Sequence, residues 1–337
     1  LTRVNDTNRL AEFYANAADR IDRIDGEKTM KLNLGRSRRF SSRGAFLGFV
    51  GLVGALQAAH ALAQVPPVAE PAATSEHHAG KVIFVELVTP DLAASEHFYG
   101  SLFGWTFRDF KVGPSDYAEA YLDGRMIGGM VHKDLPTGER RRPSWLSFIA
   151  ASDVDAVEKT AVQDGGKVLR EPHDVPGRGR QAVLTDPQGA VFAVLASSSG
   201  DTPDVLAEPG EWIWSSLITT DPDTDAAFYQ KLFDYEVYET PAPDGALHLT
   251  LATENYARAS ANPLPASKPN LHPHWLNYVR VDDAAATAAK VEALGGRVLV
   301  APRVDRHGGK LAIVADPSGA AFGLMEWPDT ESKEVTK

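Results

Sequence analysis

From Val82 to Val88 the chain alternates and is rich in β-branched residues, the period of a strand with two unlike faces. Asp91 follows as a helix N-cap. Beyond it Phe98, Tyr99, Leu102 and Phe103 fall at i, i+1, i+4 and i+5, one apolar face of a helix. Gly104 supplies the left-handed residue that ends such a helix. Three strands are expected next, near 105–111, 117–123 and 125–132. The pattern then restarts with a strand at 145–151, a helix at 153–164 closed by Gly165-Gly166, and strands near 167–171, 180–185 and 190–196. Asp186-Pro187-Gln188-Gly189 suits a tight turn: Asp bonds back to the chain, Pro presets φ and Gly takes the last position. The pattern is one βαβββ module used twice.

The whole unit then recurs. Asp91 matches Asp221, Phe98-Tyr99 matches Phe228-Tyr229, and Leu102-Phe103 matches Leu232-Phe233. Trp145-Leu146 matches Trp275-Leu276, Gly165-Gly166 matches Gly295-Gly296, and Pro172 matches Pro302. Asp186-Pro187 with Gly189 matches Asp316-Pro317 with Gly319, and every pair is 130 apart. Chance does not hold one register over that many landmarks, so the chain carries a duplication and four modules. Each copy is long enough to be a domain able to fold alone.

The segment before these copies has another character. Lys31, Arg36, Arg38, Arg39 and Arg43 precede an apolar run, Ala45 to Ala59, that is short for a membrane span. Ala59-His60-Ala61 and Ala61-Leu62-Ala63 offer small-x-small cleavage sites, so residues 30–63 read as a signal peptide. A retained N-terminal anchor is the alternative. Ser37-Arg38-Arg39-Phe40 resembles a twin-arginine signal, with a plain basic n-region and the general secretory (Sec) route as the other reading. Residues 1–29 read as an over-extended or non-native start, with Met30 as the true first residue. Residues 64–79 read as a linker, 80–200 and 210–328 as the two domains, and 329–337 as a tail. The expected location is periplasmic or secreted, with no stable membrane association once the signal is removed.

Charge and composition narrow the chemistry. The chain carries net −11, of which residues 1–29 hold −1 and 30–63 hold +5, leaving −15 on the remainder. So acidic a body repels phosphate backbones, and no nucleic-acid partner is expected. No cysteine is present, which excludes disulfides, Cys-ligated metals and thiol catalysis.

Strand, Asp, Phe-Tyr, Leu-Phe-Gly, then Gly-Gly and Asp-Pro-x-Gly in this order resembles the vicinal oxygen chelate superfamily (glyoxalase, bleomycin resistance, extradiol dioxygenase). Val175-Pro176-Gly177-Arg178-Gly179-Arg180, and Asp123-Gly124 followed by Gly128-Gly129-Met130, resemble its two-domain members. The resemblance implies an α+β fold: two tandem domains, each of two βαβββ modules forming a curled mixed sheet around a cup for a small ligand. It also implies a divalent metal held by His and Glu on cup-facing strands.

The ligand positions counted from the motifs do not hold such residues. The first-strand position gives Phe84 and Trp214, the fifth-strand position Leu146 and Leu276, and the last-strand position Ala193 and Gly323. None can ligate a metal, and a slip of one residue does not help. The fourth position falls in 117–132 and 247–262, where the count loses its register. The expectation is therefore no cofactor and no metal.

Other residues share the cup-facing sides. Glu86 lies two after Phe84; in an apolar cup its carboxyl pKa would rise, fitting a general base or a hydrogen-bond acceptor, unless an Arg pairs with it. Its counterpart is Ser216. Tyr278 and Arg280 share the side of Leu276; Arg280 suits an anion clamp or a solvated rim, and Trp214 suits a stacking platform or plain packing. Phe84, Leu146, Phe148 and Ala193 could nearly close the first cup. His272, His274, His77 and His78 are expected as solvated loop residues.

Three functions stay open: a protein binding a small molecule in metal-free cups, an enzyme, or an interaction antigen with filled cups. The enzyme would be a lyase, isomerase or dioxygenase type, metal-dependent with relocated ligands or metal-free on Glu86. Either a monomer or a homodimer fits, because the second copy can stand in for a dimer partner.

Overall fold

A computed structural model describes residue 68 and residues 76–112, 115–134, 143–240, 248–265, 271–304 and 309–327. The expected signal peptide, the segment 1–29, most of the linker and the tail lie outside these residues. Among the described residues no helix is long and apolar enough to cross a membrane.

The first copy runs β1 (Val82–Thr89), α1 (Leu92–Phe103), β2 (Thr106–Val112), β3 (Ser115–Leu122) and β4 (Arg125–His132). It continues with β5 (Ser144–Ala150), α2 (Val154–Gln163), β6 (Lys167–Val175), β7 (Gly179–Thr185) and β8 (Val191–Ser197). The second copy repeats this as β9 (Trp212–Thr219), α3 (Pro222–Phe233), β10 (Glu236–Thr240), β11 (His248–Thr253) and β12 (Tyr256–Pro263). Then come β13 (His274–Arg280), α4 (Ala284–Ala293), β14 (Arg297–Val304), β15 (Lys310–Ala315) and β16 (Ala321–Met325).

Each copy forms one mixed eight-stranded sheet, ordered β2-β3-β4-β1-β5-β8-β7-β6 and its equivalent in the second copy. At each sheet centre the first strand lies parallel to the fourth and antiparallel to the fifth. Local chemistry sets the helix ends: Asp91, Asp153, Asp221 and Asp283 each accept a backbone N–H as N-cap. Gly104 ends α1 at φ 78, and Asp234 occupies the same left-handed position after α3 at φ 58.

The helices cover one face of each sheet, and those faces meet. One core joins Val154, Val157 and Ala161 of α2 to Phe228, Tyr229, Leu232 and Phe233 of α3. Another joins Phe98, Tyr99 and Leu102 of α1 to Ala284, Ala288 and Val291 of α4. The expectation that each copy folds alone therefore meets a shared core: a separated copy would expose the aromatic faces of its helices. The opposite, helix-free face of each sheet is the one expected to line a cup.

Candidate functional site

In the first cup Phe84 and Glu86 of β1 face Phe148 and Leu146 of β5, and Phe148 faces Ala193 of β8. Phe84 and Phe148 meet edge-on at 5.5 Å. Glu86 is not surrounded by hydrocarbon: its Oε2 accepts from the Tyr117 hydroxyl at 2.8 Å and lies 3.5 Å from Nη1 of Arg178. The guanidinium of Arg178 stacks 4.2 Å over the Phe84 ring and donates through Nη2 to the Tyr117 hydroxyl at 3.2 Å. Burial pushes the Tyr117 phenol well above its ordinary range, against the pull of Arg178. The premise of an apolar setting for Glu86 thus fails, because an arginine from the β6–β7 turn and a phenol from β3 satisfy it.

The fourth ligand position becomes legible only in the strand pairing. Gly129 lies opposite Glu86 and Ser260 opposite Ser216, a spacing of 131 rather than 130, so one inserted residue broke the repeat's register. At Gly129 a Cβ would stand 1.9 Å from the Tyr117 hydroxyl; the bare glycine makes room for that contact. At Gly323, the last-strand position of the second cup, a Cβ would stand 1.9 Å from the Tyr278 ring. The eight ligand positions thus hold Phe84, Gly129, Leu146, Ala193, Trp214, Ser260, Leu276 and Gly323. That donor set does not fit a divalent ion.

The second cup has a different wall. Trp214 and Ser216 of β9 face Tyr278 and Leu276 of β13. Trp214 Nε1 donates to Ser260 Oγ at 3.1 Å, and Ser216 and Ser260 hydroxyls lie 2.8 Å apart. Asn262 donates to Ser260 Oγ at 3.0 Å and accepts from His248 Nδ1 at 2.8 Å. Trp327 lies 6.3 Å from Trp214 at an interplanar angle of 31°. Arg280 donates through Nη1 to the Ala207 carbonyl at 2.7 Å and ties the interdomain segment to the sheet. His274 is no solvated loop residue either: it begins β13, and burial holds its imidazole below the ordinary range.

The linker histidines also gain structure. His78 accepts a place in a clasp between the copies: Nδ1 lies 2.9 Å from Glu254, and its backbone N–H donates to Asp201 at 2.7 Å. Lys81 and Arg258 both donate to Asp204 Oδ1, at 2.8 and 2.6 Å, and Arg258 also reaches Glu254 at 2.7 Å. Burial alone would raise the Asp204 carboxyl, but the bonds from Arg258 and Lys81 hold it below its usual range. His78, Asp204 and Glu254 form a set with metal-ligand atoms within 4.8 Å of one another, which sits against the expectation of no metal and of a solvated His78. It lies outside both cups, and two cations already neutralise its carboxylates. A separate cavity of about 470 Å³ lies between the start of α1 and the β2–β3 hairpin, lined by Glu96, Asp109 and Tyr117 among others, and shares only Tyr117 with the polar cluster of the first cup.

Tyr117, Arg178, Ser260, Asn262 and His248 were not singled out as site residues from sequence. Arg178 had a signal in the Pro-Gly-Arg-Gly-Arg run; the others sit where the repeat slips.

Residues 77–194 match the family profile of the glyoxalase/bleomycin resistance protein/dioxygenase superfamily, and residues 215–325 that of a glyoxalase-like domain. The chain is 34% identical over 256 residues to the protein named "Putative glyoxylase CFP32" of Mycobacterium tuberculosis, covering 75% of this chain and 97% of that protein. It is 30% identical over 264 residues to the anthracycline biosynthesis protein DnrV of Streptomyces peucetius, covering 73% and 93%. Among solved structures, the Mn(II)-bound glyoxalase from Novosphingobium aromaticivorans aligns with TM-score 0.52 at 18% identity, over 74% of this chain and 83% of that one. An extradiol ring-cleaving dioxygenase from B. fuscum aligns with TM-score 0.53 at 14% identity, over 76% and 74%.

Proposed function

Because the chain belongs to the glyoxalase/bleomycin resistance protein/dioxygenase superfamily, we propose that it is an exported protein that binds a small molecule in cups working without a bound metal. One observation carries the reading: the strand positions that would grip an ion hold hydrocarbon, aromatic, glycine and serine residues in both copies. Such walls recognise a ligand by burial and a few placed hydrogen bonds. The names of CFP32 and DnrV belong to those proteins; for this chain they justify a panel rich in planar aromatic and glycopeptide-like compounds. Titration calorimetry across that panel tests the proposal, and uniform silence overturns it. So does one tightly held Zn, Ni, Mn or Fe per domain in protein purified without chelator.

A second reading, metal-free acid–base catalysis, has its own support in the 2.8 Å hydrogen bond from Tyr117 to Glu86 inside the first cup. If it holds, Glu86→Gln abolishes any turnover found while leaving the fold intact. Equal turnover in Glu86→Gln and wild type removes it.

A further inference from the structure

The two cups are unequal in how far their own chain fills them. Ile83, Phe84, Val88, Val183 and Val191 are all under 9% exposed, and Val68, from ahead of β1, is buried among them at 2%. Their counterparts 130 residues later, Ile213, Trp214, Ile218, Ile313 and Ala321, are only half-buried. The first cup's face is packed with its own apolar side chains around the Glu86–Tyr117–Arg178 cluster. The second leaves apolar surface open around a hydrogen-bonded wall.

Counting protons along that wall leaves one donor unspent. Ser260 Oγ accepts from both Asn262 Nδ2 and Trp214 Nε1, which uses its two lone pairs. Its own proton therefore goes to Ser216 Oγ, 2.8 Å away. Ser216 then accepts from Ser260, and its own O–H has no acceptor among the described residues. The residue is 3% exposed, so a donor left unpaired there is costly and favours an incoming acceptor. Ser216 shares its strand face with Trp214, whose half-buried ring stands two residues away. Of the basic residues on this face, Arg280 donates to the Ala207 carbonyl and burial favours neutral His274, while a hydroxyl donor such as Ser216 suits a neutral carbonyl acceptor.

Resting on the small-molecule reading above, we propose that the second cup binds an uncharged planar aromatic carbonyl compound of the quinone or aryl-ketone class. Its carbonyl oxygen accepts from the Ser216 hydroxyl, and its ring lies against Trp214. On this proposal the first cup is structural, and the acid–base reading of Glu86 falls.

The test titrates the full chain with quinizarin and with anthracene, a comparable ring system lacking the carbonyls, in wild type, Ser216→Ala and Ser216→Thr, and locates quinizarin by co-crystallisation. Quinizarin binds one per chain with density beside Trp214. Ser216→Ala weakens it roughly tenfold or more, the cost of losing one buried hydrogen bond, and Ser216→Thr restores it. Anthracene, with no acceptor, is insensitive to both substitutions. Density in the first cup, two equivalents per chain, or an unchanged affinity in Ser216→Ala overturns this inference and leaves the general binding reading standing. If quinizarin fails to bind while another compound of the wider panel does, the ligand class is wrong; if nothing binds, both readings fall.

Discussion

At Gly129 a Cβ would stand 1.9 Å from the Tyr117 hydroxyl and 3.0 Å from the Phe84 ring. The missing carbon is what lets Tyr117 reach Glu86 and Arg178 reach Tyr117. Gly129→Ala is therefore expected to cost about 1–3 kcal/mol through overpacking, read as a lower urea midpoint at unchanged slope; an unchanged midpoint would refute the crowding. Asp234 presents the opposite case. It holds φ 58, where the equivalent residue of the first copy is Gly104. A non-glycine residue there carries strain of order 1 kcal/mol, less for Asp than for most, so Asp234→Gly should raise the thermal midpoint. A fall in midpoint would mean the side chain contributes more than its backbone costs. At this scale the candidate site was half legible. Strand period placed Phe84, Glu86 and Leu146, and Trp214, Ser216, Leu276 and Tyr278, on shared strand faces, as the pairings have them. Their partners were not legible, because Tyr117 lies 31 residues and Arg178 92 residues from Glu86, and only the closed sheet brings them together.

Helices and strands were read to within a few residues, since caps, glycine stops and apolar periods are local signals. The one-residue slip between β4 and β12 was not, because strand pairing and not sequence spacing defines it. The Asp-Pro turns also do more than their local chemistry announces. Asp186 Oδ1 accepts three backbone N–H groups of its own turn, while Oδ2 accepts from Tyr229 of α3 in the other copy at 3.2 Å. Burial and the nearby Asp225 of α3 raise Asp186 to about 7. Burial likewise raises Asp225 to about 6, with Thr219 and Gln188 opposing and Asp221 assisting. In the mirror contact Tyr99 donates to Asp316, but the residue equivalent to Asp225 is Ser95. Both folded carboxyls sit above their unfolded values, so their contribution is complete below about pH 4 and is lost as pH rises through about 6 to 7. Stability should therefore decline over that window. Asp225→Ser, which copies the mirror contact, should flatten the decline when urea midpoints are compared at pH 5 and pH 8. An identical pH dependence in the variant would show that the carboxyl pair is not its source.

Across the whole molecule the duplicated landmarks serve the contact between copies more than either cup. Trp145 donates to Tyr99 at 2.9 Å and Tyr99 to Asp316; Trp275 donates to Tyr229 at 2.9 Å and Tyr229 to Asp186. These are the Phe-Tyr, Trp-Leu and Asp-Pro motifs that revealed the repeat, so the positions retained in both copies build the joint. Ser147 and Ser215 both donate to Asn277 Oδ1, at 3.0 and 2.7 Å, pinning β1's neighbour β5 to β9 and β13 across the centre. Because two apolar cores each draw on both copies, neither sheet can lose its helix-face packing without exposing the other's. Two independent domains joined by a linker would melt in two steps with separate midpoints. A shared core instead predicts one calorimetric transition, with calorimetric and van't Hoff enthalpies equal for the full chain. Tyr99→Phe and Tyr229→Phe each remove one cross-copy hydrogen bond and leave a buried carboxyl short of a donor, a loss of about 1–3 kcal/mol. Either substitution should lower that single midpoint without splitting it. If instead Tyr229→Phe separates two transitions, the copies are autonomous units and the joint is only a contact; a single shifted peak means that the duplication has made one cooperative body.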